Sequence, residues 1–218
     1  MKNALIFRGG WDGHDPVATS DIIAARLRGH GVHVDIFDAQ DCLLDPALKT
    51  KYQLIVPMWT MGQIARENEG ALLDAVRSGV ACGGWHGGMG DAFRNNTEYQ
   101  FMVGGQWVAH PGGIIDYTVD ISPKAHPITA GLPASFPMHS EQYYMHVDPG
   151  NEVLATTTFV AEHAPWVKGT VMPVIWTRRY GAGKVFYTSL GHNIADFETT
   201  PLVSEIITRG LLWALDAR

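Results

Sequence analysis

The sequence predicts an α/β fold, with a mostly parallel sheet covered by helices on both faces and an elaborated insertion over about residues 104–150. Three observations predict it. Short apolar runs alternate with helical patterns through the first 84 residues. The connections between runs are long enough for crossover helices, which parallel pairing requires. Segments rich in glycine and histidine follow several of the runs, at the strand ends where open α/β sheets bind ligands.

The elements follow in order. Ala4 to Phe7 reads as a buried strand ending at Arg8-Gly9-Gly10. Asp15-Pro16 and then Thr19 or Ser20 start a helix through Ile22, Ile23 and Leu27, which closes at Gly29 or Gly31. Val32 to Phe37 alternates as a second strand, and Tyr52 to Met58 is a third. A helix from about Ile64 through Leu72, Leu73 and Val76 ends at Gly79, and Val80 to Gly84 is a fourth strand. The middle is rich in Pro, Gly and His and offers short strands such as Ile114 to Ile121. Strands return over Glu152 to Val160, Met172 to Thr177 and Lys184 to Leu190, before an amphipathic helix from about Pro201 to Ala214.

Composition excludes several classes. A length of 218 residues suits one sizeable core and a single domain over 1–218. A net charge of -6 without a basic cluster argues against nucleic acid. Cys42 and Cys82 form no CxxC pattern, so neither a disulfide framework nor a thiolate zinc site is expected. No signal-peptide pattern opens the chain, and no run approaches the roughly 20 apolar residues of a membrane span. A cytoplasmic protein with a small polar ligand is the expectation.

Four segments lie just beyond the ends of predicted strands: residues 8–15, Trp59-Thr60-Met61, the glycine stretch 83–88, and Gly191-His192. Three of the four carry a histidine. Gly84-Trp85-His86-Gly87-Gly88 has the G-x-H-x-G shape of a strand-to-helix elbow, whose small flanking residues let helix and strand pack closely. Hydrolases of that geometry hold Ser or Cys at the centre. A histidine there serves as base, acid or metal ligand, or merely caps a backbone carbonyl in a glycine turn. Behind His192 stand Asn193, Asp196 and Glu198, any of which could orient its ring.

Weaker signals surround these. His139 and Glu141 share one face if extended, and either a solvated pair or a zinc or acid–base pair fits that spacing. Tyr143 beside them reads as pocket wall or core. Trp11 and His14 have the aromatic and hydrogen-bonding character of a sugar site, while Asp15 before Pro16 also fits a helix N-cap. His110-Pro111 and His126-Pro127 read as structural turns.

Gly10-Trp11-Asp12-Gly13-His14, the elbow, His126-Pro127-Ile128, Glu141-Gln142-Tyr143-Tyr144, Pro173 to Trp176, Tyr180 to Tyr187 and Leu190-Gly191-His192 form one pattern over nearly the whole chain. It resembles the ThuA-like (trehalose utilisation) proteins of the class I glutamine amidotransferase-like superfamily. The resemblance implies a flavodoxin-like, three-layer core, with position 86 matching the amidotransferase nucleophile and His192 its base. His86 stands where those enzymes have Cys, and Cys82 lies inside a predicted strand, so glutamine hydrolysis through a thioester is not expected.

The family's association with disaccharide catabolism beside sugar dehydrogenases implies an enzyme acting on keto-sugars or keto-glycosides: a lyase, hydrolase or isomerase. The expected site uses His86, His192 and Glu141 as acid–base groups or as ligands of a divalent metal such as zinc. Trp11, His14, Asp15, Trp85 and Tyr143 are expected to line the substrate. A small sugar is the expected partner, with a functional link to a sugar dehydrogenase and a homo-oligomeric assembly. The alternatives are a non-catalytic sugar-binding or regulatory module, and a hydrolase using Ser189, which has no elbow of its own.

Overall fold

Ala4-Leu5-Ile6-Phe7 is apolar at every position, because the strand it forms is covered on both faces. Ala4 and Ile6 face one core with Ile23, Leu27, Ile206 and Leu211, while Leu5 and Phe7 face a second with Leu72, Leu73 and Val76. Full burial of each such large side chain contributes about 1.5–3 kcal/mol. The two cores, one on either side of a sheet, are the physical content of the three-layer arrangement.

The computed structural model describes residues 2–160 and 162–216. In chain order it contains β1 (Lys2–Gly10), α1 (Pro16–Gly29), β2 (Val32–Phe37), α2 (Leu48–Lys51), β3 (Leu54–Thr60), α3 (Arg66–Arg77), β4 (Ala81–Trp85), α4 (His86–Gly90) and α5 (Thr97–Val103). Then come β5 (Gly105–Ala109), β6 (Ile114–Ile121), β7 (Ser135–Glu141), β8 (Tyr144–Val147), β9 (Glu152–Thr158), β10 (Val171–Tyr180), β11 (Gly183–Thr188), α6 (Ile194–Thr199) and α7 (Pro201–Leu215). Proline at the first turn of α1 and of α7 occupies the helix position that needs no N–H.

Nine strands form one sheet in the order β2-β1-β3-β4-β11-β10-β9-β6-β7. The pairings from β2 to β11 are parallel, and those from β11 to β7 are antiparallel. Only β10 and β6 therefore run against the other seven, so the sheet is mostly parallel in strand direction, as expected. The elements expected from apolar periodicity are present, with ends shifted by a few residues. The insertion differs in kind from its short-strand description. β6 and β7 extend the main sheet through β9, whereas β5 and β8 pair in a separate two-stranded sheet.

Register positions the site. Gly10 lies opposite Thr60 and Thr188 opposite Trp85, so the segments leaving β1, β3, β4 and β11 emerge side by side at one end of the sheet.

Candidate active site

His86 opens α4 with φ 44°, a left-handed conformation that a non-glycine residue adopts at a cost of about 1–3 kcal/mol. The expected elbow is therefore present. Its glycines are required by close approach: a Cβ on Gly87 would lie 2.3 Å from His14 Cε1, and one on Gly88 2.1 Å from Met58 Sδ. The other non-glycine residues with left-handed φ, among those described, are Asp15, Met61 and Phe93. Asp15 follows His14, and Met61 follows Thr60. Phe93 donates its N–H to the Met61 carbonyl at 3.0 Å. Backbone strain is thus gathered around this one end of the sheet.

The imidazoles of His14, His86 and His192 meet there with Glu141, offering ligand atoms that all lie within 4.8 Å of one another. His86 directs Nδ1 at the Ser189 carbonyl, 2.8 Å away, and turns Nε2 to Glu141 Oε2 at 3.1 Å. A carbonyl only accepts, so Nδ1 carries the proton and a neutral His86 leaves Nε2 bare. His14 bonds Thr60 Oγ1 through Nδ1 at 2.8 Å and brings Nε2 to 3.9 Å from Glu141 Oε2. His192 Nε2 stands 3.5 Å from Glu141 Oε1. Ring centroids are 4.7 Å apart for His14 and His86, and 5.3 Å for His86 and His192.

Burial, followed by the neighbouring imidazoles, pushes the His14 pKa down to about 2, so this ring is neutral at neutral pH. His192 is lowered for the same reasons. Burial acts to raise Glu141, but its hydrogen bond with His86 and the surrounding imidazoles outweigh that and hold the carboxyl below its ordinary value. The centre is one carboxylate ringed by imidazoles.

Asp196 supports two members at once. Its Oδ2 accepts the His192 backbone N–H at 2.9 Å and the Ser140 hydroxyl at 2.8 Å, so it ties the His192 backbone to the Ser140 side chain and does not hold the His192 ring. Asn193 instead caps α6 through the Ala195 N–H.

The remaining expected site residues are distributed differently. Tyr143 is buried, and its ring lies 4.0 Å from that of His86, forming a wall. Trp11 is half exposed, edge-on to His14 at 4.9 Å, at the outer rim. His14 joins the cluster itself and does not merely line it. Trp85, expected to line the substrate, does not: it is fully buried against Phe197 in the core beside α7, because the strand pleat points the residue before the elbow inward. Asp15 accepts the Ile194 backbone N–H at 3.1 Å and ties the first loop to the last.

His139 does not accompany Glu141, since it is exposed and bonded to Asp116 at 2.7 Å. His126 does close a turn, accepting the Ile128 N–H at 3.2 Å. His110 does open a turn, its carbonyl accepting the Gly113 N–H at 3.0 Å, and its Nε2 also comes to 3.6 Å from Glu141 Oε1. Cys82 is buried inside β4, and burial pushes its thiol up to about 12. Ser189 is buried and meets the site through its carbonyl, the acceptor for His86.

Fold and site together define a flavodoxin-like, glutamine amidotransferase-like α/β protein with a His/Glu cluster at the strand-to-helix elbow. The chain belongs to the ThuA family, described as trehalose utilisation, whose model matches residues 3–214. A ThuA-like protein from Parabacteroides merdae ATCC 43184 is similar in structure, with TM-score 0.77 and 19% identity over 100% of this chain and 91% of that one. One from Bacteroides uniformis ATCC 8492 gives TM-score 0.80 and 18% identity over 98% and 91% of the two chains. The β-galactosidase of Rahnella sp. R3 shares the fold over 98% of this chain but 30% of its own, with TM-score 0.63 and 17% identity. No curated protein matches the chain. Among the described residues, no helix is long and apolar enough to cross a membrane.

Proposed function

We propose that this protein is an enzyme of sugar metabolism acting on keto-sugars or keto-glycosides derived from disaccharides. In this reading His14, His86, His192 and Glu141 hold a divalent metal such as zinc. The observation that carries it is the 3.1 Å approach of His86 Nε2 to Glu141 Oε2 while His86 Nδ1 serves the Ser189 carbonyl. A bare imidazole nitrogen and a carboxylate oxygen are both acceptors, and they repel unless a positive charge lies between them. A single proton would satisfy one imidazole and leave His14 and His192 facing the same carboxylate. A divalent cation answers all three, and a ring whose Nδ1–H donates to a protein acceptor, as that of His86 does to the Ser189 carbonyl, is a usual support of metal-bound histidine.

Such an ion supplies polarisation of a substrate carbonyl. A 3-keto group makes the neighbouring C2–H acidic. A cluster residue takes that proton, the C1–O bond breaks, and the departing oxygen is protonated, which gives an enone and a free alcohol. Return of the proton to another carbon would instead interconvert keto-sugars. The family's description as trehalose utilisation supports the sugar class, and a dehydrogenase that makes the ketone is the corresponding functional link.

A second reading, in which His86 and Glu141 share a proton and act as acid and base without metal, is favoured by their direct hydrogen bond. Both readings predict turnover of 3-keto-trehalose or a related keto-glycoside, reduced about 10²–10⁴-fold in His86→Ala and His192→Ala. Measurable binding of every keto-sugar with no turnover would overturn both in favour of a binding module.

A further inference from the structure

His110 stands outside the four-residue cluster. It lies one residue beyond β5, on the insertion, and its Nε2 comes within 3.6 Å of Glu141 Oε1. That is just beyond hydrogen-bonding range. Glu141 therefore divides its oxygens: Oε2 faces His86 and His14, and Oε1 faces His192 and His110.

Two features set His110 apart from the other imidazoles. Its side chain is 36% exposed, against 4%, 1% and 11% for His14, His86 and His192. Its nitrogens also have the reverse arrangement. His86 and His14 bond through Nδ1, whereas the buried Nδ1 of His110 has no protein partner. A buried N–H without a partner is rarer and costlier than a bare acceptor. The favoured tautomer therefore puts the proton on Nε2, facing the carboxylate. A ring with that nitrogen protonated presents an N–H toward Glu141 and is not a ligand. Its orientation is held by an aromatic wall: Trp107 lies 5.6 Å away and Tyr143 6.3 Å away at 25°, with the Arg94 guanidinium 4.4 Å above Trp107.

We propose that His110 is a positioning residue of the metal centre, whose Nε2–H faces Glu141 Oε1 and keeps the carboxylate turned toward the cluster of His14, His86 and His192. This rests on the metal reading above. It also gives the insertion a role, since the segment after β5 then delivers the group that sets a carboxylate from β7 against the histidines that follow β1, β4 and β11.

The test uses the full chain freed of metal by chelation and titrated with Co(II), whose visible absorption reports both affinity and ligand geometry. His110→Ala is expected to weaken Co(II) binding about 10–100-fold and to alter the spectrum, with the melting temperature of the metal-free protein little changed. His110→Gln, which keeps a donor near the same place, is expected to restore most of the affinity. Unchanged affinity in His110→Ala would overturn the proposal, and so would equal losses in Ala and Gln, which would mark a packing effect. Should the Ala variant not fold, the Gln and Asn variants are compared with wild type, and loss of affinity with Asn but not Gln supports the proposal while equal loss overturns it. If the wild type binds no Co(II), the metal reading itself fails and takes this one with it.

Discussion

His86 Nδ1 lies 2.8 Å from the Ser189 carbonyl oxygen, a contact between the residues that directly follow two parallel strands, 103 positions apart in sequence. The β4–β11 register, which pairs Trp85 with Thr188, places these two residues side by side one step later. One backbone carbonyl thereby fixes the tautomer of the elbow histidine and aims its free nitrogen at Glu141. Glu141→Gln keeps the shape of the carboxylate and removes its charge. We expect metal affinity to fall at least about tenfold, because losing a ligand costs no less than losing an outer partner. Titration of a metal-free sample checks this, and wild-type affinity in the variant would exclude Glu141 as a ligand.

The Thr60 hydroxyl hydrogen-bonds His14 Nδ1 at 2.8 Å and orients the ring. Thr60→Val preserves volume but leaves the buried His14 Nδ1 without a partner, at a cost of about 1–3 kcal/mol. The variant should unfold at lower denaturant concentration and bind metal more weakly. Denaturation and metal titration together test it. Unchanged values in both would mean that the hydroxyl does not orient the ring.

Gly87→Ala tests the elbow from its other side. The added methyl would sit 2.3 Å from His14 Cε1 and 2.5 Å from its Nδ1, and His14 is buried. Displacing the ring should cost about 1–3 kcal/mol of stability and reduce metal affinity while far-ultraviolet circular dichroism stays unchanged. Gly70, whose Cβ would meet nothing within 4 Å, is the matched control. Equal behaviour of the two variants would contradict the crowding argument.

Asp35 provides a pH-dependent prediction away from the site. The Tyr52 hydroxyl at 2.6 Å, followed by Lys51, lowers its pKa from the ordinary 3.8 to about 2. A folded-state pKa below the unfolded one adds stability that is complete above the unfolded value and disappears as pH falls through the folded value. Tyr52→Phe should therefore lose about 1 kcal/mol at pH 7, with the gap from wild type closing between pH 3.8 and 2. A difference that persists undiminished at pH 2 would show that packing, not the carboxylate, is responsible.

Much of this was legible in the residues. Strands β1 to β4 are continuous or alternating apolar runs punctuated by glycine, and His14, His86 and His192 each follow the end of such a run. Their convergence follows from parallel strands placing all these ends together. Glu141 comes from β7 at the far edge of the sheet, and spacing alone could not bring it in. His110 escaped because its contact with Glu141 depends on how the insertion folds back, and His110-Pro111 carries only a turn signal locally. Trp85 misled because an elbow brings its central residue into the crevice and turns the preceding one into the core.

The most direct test of the central claim is the metal content of protein purified without added metal, together with keto-glycoside turnover before and after chelation. About one divalent ion per chain is expected, absent from His86→Ala and Glu141→Ala, with activity that chelation abolishes and zinc restores. Metal-free protein whose turnover is indifferent to chelators would contradict it and leave the proton-sharing pair of His86 and Glu141 as the working centre.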